Sequence, residues 1–285
     1  MKQKDKPSLC YVTYKRLTET DKDIYDKLSR NFTVTHAKMD DLVLKISKGK
    51  TLIKFKGLNV ALHSVIWFRV PKFCYQSLSQ IVKQIPLTVK IMQGRKGFGL
   101  LTSKLLVYQT LTRRNIDVPN IIFAEDVDTV ASNLKGIRFP VLIRVTTDKN
   151  KVMLANSEIE VKSMMDALKV LDQPIFIEEY HPEAELHSLY VVGAEVVAAT
   201  KTKVMGIDYD GETFDYGPKK EEVQIALEVA SALGSKIAKV EILSNPMIVV
   251  DADICPYIKE ASRITGIDIA EKISKFVYSE SGVVV

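Results

Sequence analysis

Two apolar runs with acidic residues set inside them, KVEIL at 239–243 and MIVVDADICP at 247–256, are joined by Ser244-Asn245-Pro246. Residues 238–243 and 247–253 have the length and apolar density of buried strands, and the Asn-Pro step marks a turn between them. A carboxylate inside such a run is costly to bury unless it is paired. Asp251 and Asp253 are two residues apart, so a strand points both to one face. Glu241 can sit opposite them across the hairpin. Hard oxygen ligands on a rigid sheet suit Mg²⁺, which keeps coordination positions for nucleotide phosphates. The same three residues also read as strand-edge carboxylates paired with nearby Lys or Arg.

Working outward, short apolar runs alternate with helix-periodic segments along most of the chain, the pattern of an α/β fold. Strands are expected at 8–14, 32–36, 51–55 and 61–70, with a helix at 21–30 and a short helix or extended link at 40–47. QGRKGFG at 93–99 is the most Gly-rich stretch; it lacks the GxxxxGK of a P-loop and reads as a linker. A helix at 100–114 follows. Strands at 118–124, 139–145 and 151–155 are interleaved with helices at 126–134 and 157–171. Further strands fall at 174–180, 189–192 and 195–203, the last two forming a hairpin through Gly193. Helices at 219–233 and 267–278 flank the acidic hairpin.

The chain of 285 residues is 46% hydrophobic and 26% charged, enough apolar material for a sizeable core. Its net charge of +5 is dispersed, so a nucleic-acid role has no support beyond a mildly positive field. Cys10, Cys74 and Cys255 show no CxxC spacing, which points to a reducing, cytoplasmic setting. His36, His63, His181 and His187 form no metal-binding pair at helical spacing. No apolar run reaches membrane-spanning length, and the MKQKDKP start has no signal-peptide core, so the expected product is soluble and unprocessed.

The acidic hairpin is similar to the GVDIL and MEVNxSPG signatures of RimK-like carboxylate–amine ligases, a branch of the ATP-grasp superfamily. Thr265-Gly266-Ile267-Asp268-Ile269-Ala270 resembles that family's TGIDIA ending. On this match Glu241, Asp251 and Asp253 fall on the family's metal-ligand positions. Ser103-Lys104-Leu105 with Asn115-Ile116-Asp117-Val118-Pro119 resembles its DKL helix and following GIxxP, which puts Lys104 on an ATP-binding lysine; by itself a helix lysine is ordinarily an exposed cation. FPVLIR at 139–144 resembles the strand ending in a second phosphate-binding lysine, here Arg144, whose fork is a different shape. IFIEEY at 175–180 resembles the adenine hinge, with Glu178, Glu179 and Tyr180 as its candidates. YVVGAEVVAATK at 190–201 resembles VVGxxVVAAxxR, and Gly57-Leu58, Val65-Ile66 and Arg69 resemble the GxxL and VIxR of the preceding domain.

The resemblance implies an ATP-grasp fold preceded by a small α/β pre-ATP-grasp domain, with units at 1–92, 93–174 and 175–285. It implies ATP and Mg²⁺ as cofactors and an acyl-phosphate attacked by an amine. The acid, the amine and any homo-oligomer are left open. Three departures favour a non-catalytic nucleotide-binding or interaction module as the alternative. VTTDKNKVM at 145–153 replaces the family's glycine-rich loop. Leu186 and Ser188 replace an Asp-x-Arg pair, with Glu185 as a substitute for the Asp. No RSN segment occurs in GIDYDGETFDYG at 206–217.

Overall fold

The computed structural model describes residues 6–145, 152–207 and 209–281. Its first unit is a parallel sheet. β1 (Ser8–Thr13), β2 (Thr33–Lys38), β6 (Val65–Arg69) and β7 (Lys90–Ile91) lie in the order β2-β1-β6-β7. β1 and β6 are central and buried almost throughout, which is why they are continuous apolar runs rather than alternating ones. Helix α1 (Glu19–Ser29) crosses from β1 to β2. Thr18 caps it, accepting the Asp21 backbone N–H while the Asp21 carboxylate accepts from the Thr18 backbone, and Ile24 and Leu28 face the sheet.

Between β2 and β6 the chain makes a separate antiparallel sheet, β3 (Leu42–Ser47), β4 (Lys50–Phe55) and β5 (Leu58–Asn59). The expected helix or link at 40–47 is thus one 3₁₀ turn followed by a strand. The strand expected at 61–70 starts later: the Asn59 side chain accepts the Ala61 N–H and closes a turn before β6. Helix α2 (Tyr75–Ile81), absent from the sequence reading, covers the end of this unit.

The Gly-rich stretch is packed rather than slack: Gln93, Gly97 and Phe98 are buried, and helix α3 (Lys96–Leu100) forms within it. Gly94 has φ 71°, and a Cβ there would lie 1.9 Å from the Gly234 carbonyl oxygen. Only glycine allows this crossing. The helix expected at 100–114 is interrupted at 101–103, and its main part is α4 (Lys104–Thr112).

A central antiparallel sheet follows, in the order β10-β9-β11-β8. It is built from β8 (Ile121–Ala124), β9 (Val141–Val145), β10 (Val152–Ala155) and β11 (Ile175–Glu179), with α5 (Val127–Ser132) and α6 (Glu158–Leu168) on it. β11 hydrogen-bonds to β8 and β9 although it lies beyond residue 174. The last sheet has the order β14-β13-β12-β15-β16: β12 (Glu185–Val192), β13 (Glu195–Val204), β14 (Gly211–Asp215), β15 (Ile237–Ser244) and β16 (Met247–Asp253). Helices α7 (Lys220–Leu233), α8 (Lys259–Thr265) and α9 (Ile269–Glu280) complete it. One apolar core, including Phe55, Phe68, Phe98, Tyr108, Phe176, Val240 and Val249, runs through all four sheets and fixes their mutual placement.

Candidate nucleotide and metal site

The acidic hairpin forms in the expected register. Glu241 pairs with Asp251 and Lys239 with Asp253, so strand alternation puts all four side chains on one face. Ser188 is opposite Glu241 on the neighbouring strand. Each carboxylate already holds a donor from the chain. Lys239 Nζ is 2.6 Å from Glu241 Oε1. Lys72 Nζ reaches across from the N-terminal unit to both oxygens of Asp251, at 2.9 and 2.7 Å. The Tyr75 hydroxyl donates to Asp253 at 2.6 Å, and the Cys255 backbone N–H donates to the same oxygen at 2.9 Å.

The charges reinforce one another. Burial in the cleft works against the Lys72 ammonium, but Asp251, Asp253 and Glu241 outweigh it and hold its pKa above the ordinary lysine value. Burial likewise opposes the Asp251 carboxylate, yet Lys72 and, farther off, Lys104 hold its pKa below the usual range.

The second cluster lies under the first and is deeper. Glu178 is 3% exposed and accepts from Lys104 Nζ at 2.7 Å on each oxygen. Tyr108, one helical turn beyond Lys104 on α4, donates to Glu178 as well and lies 2.9 Å from the Val250 carbonyl, next to Asp251. This phenol joins β11 of the central sheet to β16, the acidic strand of the last one. Arg144 Nε stands 3.9 Å from Glu178; it is buried and has no hydrogen-bond partner among the described residues.

Glu179 and Tyr180 are also buried, but they brace the end of β11. Glu179 accepts the Arg138 backbone N–H at 2.7 Å, and Tyr180 donates to the Gly206 carbonyl at 2.9 Å and packs on Tyr209. Glu185 is not brought to the cluster. It lies 3.6 Å from both His187 Nε2 and Lys201 Nζ, on the face of β12 turned away from Ser188. His187 itself is structural, with Nδ1 2.5 Å from the fully buried Glu222. Residues 146–151 of the loop expected over the phosphates lie outside the described residues.

For a divalent cation the donors are right in kind and share a face, but they do not converge as they stand. No three His, Cys, Asp or Glu side chains among the described residues are grouped to hold a metal. The donors that sequence reasoning missed are Lys72, Tyr75, Tyr108 and Lys239. Lys239 was legible, being two residues before Glu241 on a strand. Tyr108 follows Lys104 at helical spacing, whereas Lys72 and Tyr75 gave no local signal because their partners lie far along the chain. A separate cleft of about 920 Å³ between α4 and β8 shares Tyr108 but is lined by none of the expected site residues.

Comparison with known proteins bears on this geometry. A family model describing the RimK-like ATP-grasp domain matches residues 101–277. A probable alpha-L-glutamate ligase from Picosynechococcus is 29% identical over 190 residues, covering 61% of this chain and 62% of that protein. The ribosomal protein bS6–L-glutamate ligase of Escherichia coli is 27% identical over 187 residues, again 62% of its length. The chain thus spans less than two thirds of these relatives. Among solved structures, the ATP-grasp ligase PsnB, complexed with a precursor variant, Mg and ADP, superposes with TM-score 0.72 at 10% identity, over 97% of this chain and 100% of that one. A RimK domain ATP-grasp protein from Sphaerobacter thermophilus gives 0.70 at 14% identity, over 94% and 99%. These likenesses establish the fold. No helix among the described residues is long and apolar enough to cross a membrane.

Proposed function

Because the chain belongs to the RimK-like ATP-grasp family, we propose that it is an ATP- and Mg²⁺-dependent carboxylate–amine ligase working through an acyl-phosphate. ATP-grasp ligases use ATP and Mg²⁺. In the proposed reaction a substrate carboxylate oxygen attacks the γ-phosphorus of ATP and the bond to the bridging oxygen breaks, releasing ADP. The amine lone pair then adds to the acyl carbon. Phosphate leaves with the electrons of the C–O bond, and the amine proton is lost to solvent.

The observation that carries this reading is the Tyr108 bridge, which sets Lys104, Glu178 and Arg144 beside the carboxylates of the next sheet. In this reading Lys104 and Arg144 neutralise nucleotide phosphates. The hinge of Glu178, Glu179 and Tyr180 flanks adenine and ribose, and Glu241, Asp251 and Asp253 hold the metal. When bound, the metal neutralises phosphate charge and orients the transferring group. The buried Arg144 Nε, 3.9 Å from Glu178 and without a hydrogen-bond partner among the described residues, supports an anionic ligand there. Glu185 is left out of this assignment. The units 1–92, 93–174 and 175–285 belong to the same reading, with β11 completing the central sheet. Reduced Cys10, Cys74 and Cys255 fit a cytoplasmic setting.

Incubation with Mg²⁺-ATP, glutamate and a panel of other amines and carboxylates, followed by ADP and phosphate release, tests the proposal. We expect turnover on at least one pair, about 10²- to 10³-fold slower than in a family member with the full set of charged groups. Nucleotide binding without turnover on any pair would favour the second reading, a non-catalytic nucleotide-binding module. Its specific support is Leu186 and Ser188, an alkyl group and a hydroxyl on the face where the family pattern has an Asp-x-Arg pair.

A further inference from the structure

We propose that Lys72 guards the carboxylate site: its ammonium occupies Asp251 until a divalent cation displaces it, so the N-terminal unit sets the metal affinity of the last sheet. This rests on the metal role assigned above to Glu241, Asp251 and Asp253.

The contact is delivered by a built connection rather than by a stray surface side chain. β6 ends at Arg69, Pro71 turns the chain, and one 3₁₀ turn (Lys72–Cys74) leads into α2. Lys72 and Tyr75, three residues apart, therefore point the same way. They meet Asp251 and Asp253, which point the same way from β16. The spacing of donors on one segment matches the spacing of acceptors on the other. Behind them the two backbones are tied together. Arg69 donates to the Pro256 carbonyl, its Nε is 3.3 Å from Asp21, and the Cys255 thiol donates to the Phe68 carbonyl at 3.1 Å.

The ammonium end is less constrained than its base. The Lys72 side chain is 39% exposed and that of Asp251 43%, so Nζ has solvent into which it can withdraw. It cannot stay while a metal binds. Both oxygens of Asp251 are engaged by Nζ, and a cation bound to either would stand within ion-pair distance of a like charge. Three carboxylates against Lys72 and Lys239 leave one net negative charge in the cluster; removing Lys72 leaves two. The chain thus holds the cluster together before the metal arrives, and weakens metal binding by doing so.

Calorimetric titration of the full chain with Mn²⁺ alone, without nucleotide, tests this on the wild type, Lys72→Met, Lys72→Gln, Asp251→Asn and the Lys72→Met/Asp251→Asn pair. Lys72→Met and Lys72→Gln are both expected to tighten Mn²⁺ binding by about tenfold. Asp251→Asn is expected to weaken it in either background. Equal affinity in the wild type and both Lys72 variants, with Asp251→Asn still weakening it, would overturn the guard while leaving the metal site standing. Absence of any Asp251-dependent binding in the Lys72 variants would overturn both. A thermal melt of each variant separates these outcomes from misfolding, and Lys72→Arg, which keeps the charge, should not tighten binding.

Discussion

Lys104 meets Glu178 and Lys72 meets Asp251 at the same closest distance, 2.7 Å, and a tyrosine stands beside each pair. Their surroundings differ. Glu178 is 3% exposed, whereas the Asp251 side chain is 43% exposed. A carboxylate buried with three cationic or phenolic neighbours is expensive to leave uncompensated, so the inner pair fixes β11 against α4 and β16. The outer pair also sits in the cleft, but both of its side chains keep solvent-facing surface, so its contact is screened and contributes less. On the proposed reading, one chemical motif serves in two ways: as a structural joint beneath the nucleotide site and as a replaceable occupant at the metal face.

The largest expected effect breaks the inner joint. Lys104→Met leaves Glu178 buried with only Tyr108 and the more distant Arg144, and we expect a loss of about 2 to 3 kcal/mol in urea unfolding. Lys72→Met should cost less than about 1 kcal/mol, because water reaches both partners. Similar losses for the two variants would remove the distinction between joint and occupant. The Lys104 variant should also bind ADP more weakly, by fluorescence or calorimetric titration, if the lysine faces phosphate as proposed.

The tyrosines sharpen the comparison at smaller scale. Tyr108→Phe removes a hydroxyl whose single proton is shared between acceptors in different sheets, Glu178 and the Val250 carbonyl, and should cost about 1 to 2 kcal/mol. Tyr75→Phe leaves Asp253 with the Cys255 N–H and with access to water, so its cost should stay under about 1 kcal/mol. Unfolding of the two variants under identical conditions gives the ordering directly. A larger loss for Tyr75→Phe would mean that the outer contact is structural too.

How far these features could be seen in the sequence follows from how local their causes are. The strand at 247–253 and the shared face of Asp251 and Asp253 depend on alternation alone, and both are present in β16. Helix α8 was missed because Ala261 is its only buried residue, leaving almost no periodic signal. Strand β14 was missed because its Gly-Glu-Thr-Phe-Asp sequence is mostly exposed and is held by backbone pairing to β13. The Gly-rich stretch reads as a linker because its reason for glycine, contact with the end of α7, lies 140 residues away at Gly234. Site residues divide in the same manner. Lys104, Glu178 and the carboxylates stand inside recognisable local patterns, while Lys72 finds Asp251 across 179 residues, a choice that only the packed sheets decide.

The smallest effect we expect is also the most specific to the exposed pair. Between about 0.05 and 1 M salt the screening length falls severalfold, to roughly 3 Å, close to the separation of the Lys72 and Asp251 charges. The stability difference between wild type and Lys72→Met should therefore shrink by a few tenths of a kcal/mol as NaCl is raised. The difference between wild type and Lys104→Met should move less, because Glu178 is almost fully shielded from solvent. Urea unfolding of the three proteins at low and high NaCl separates the cases, since the common effect of salt on the fold cancels in each difference. If both differences fall together, Glu178 is as accessible to ions as Asp251, and the inner cluster would no longer qualify as a closed joint.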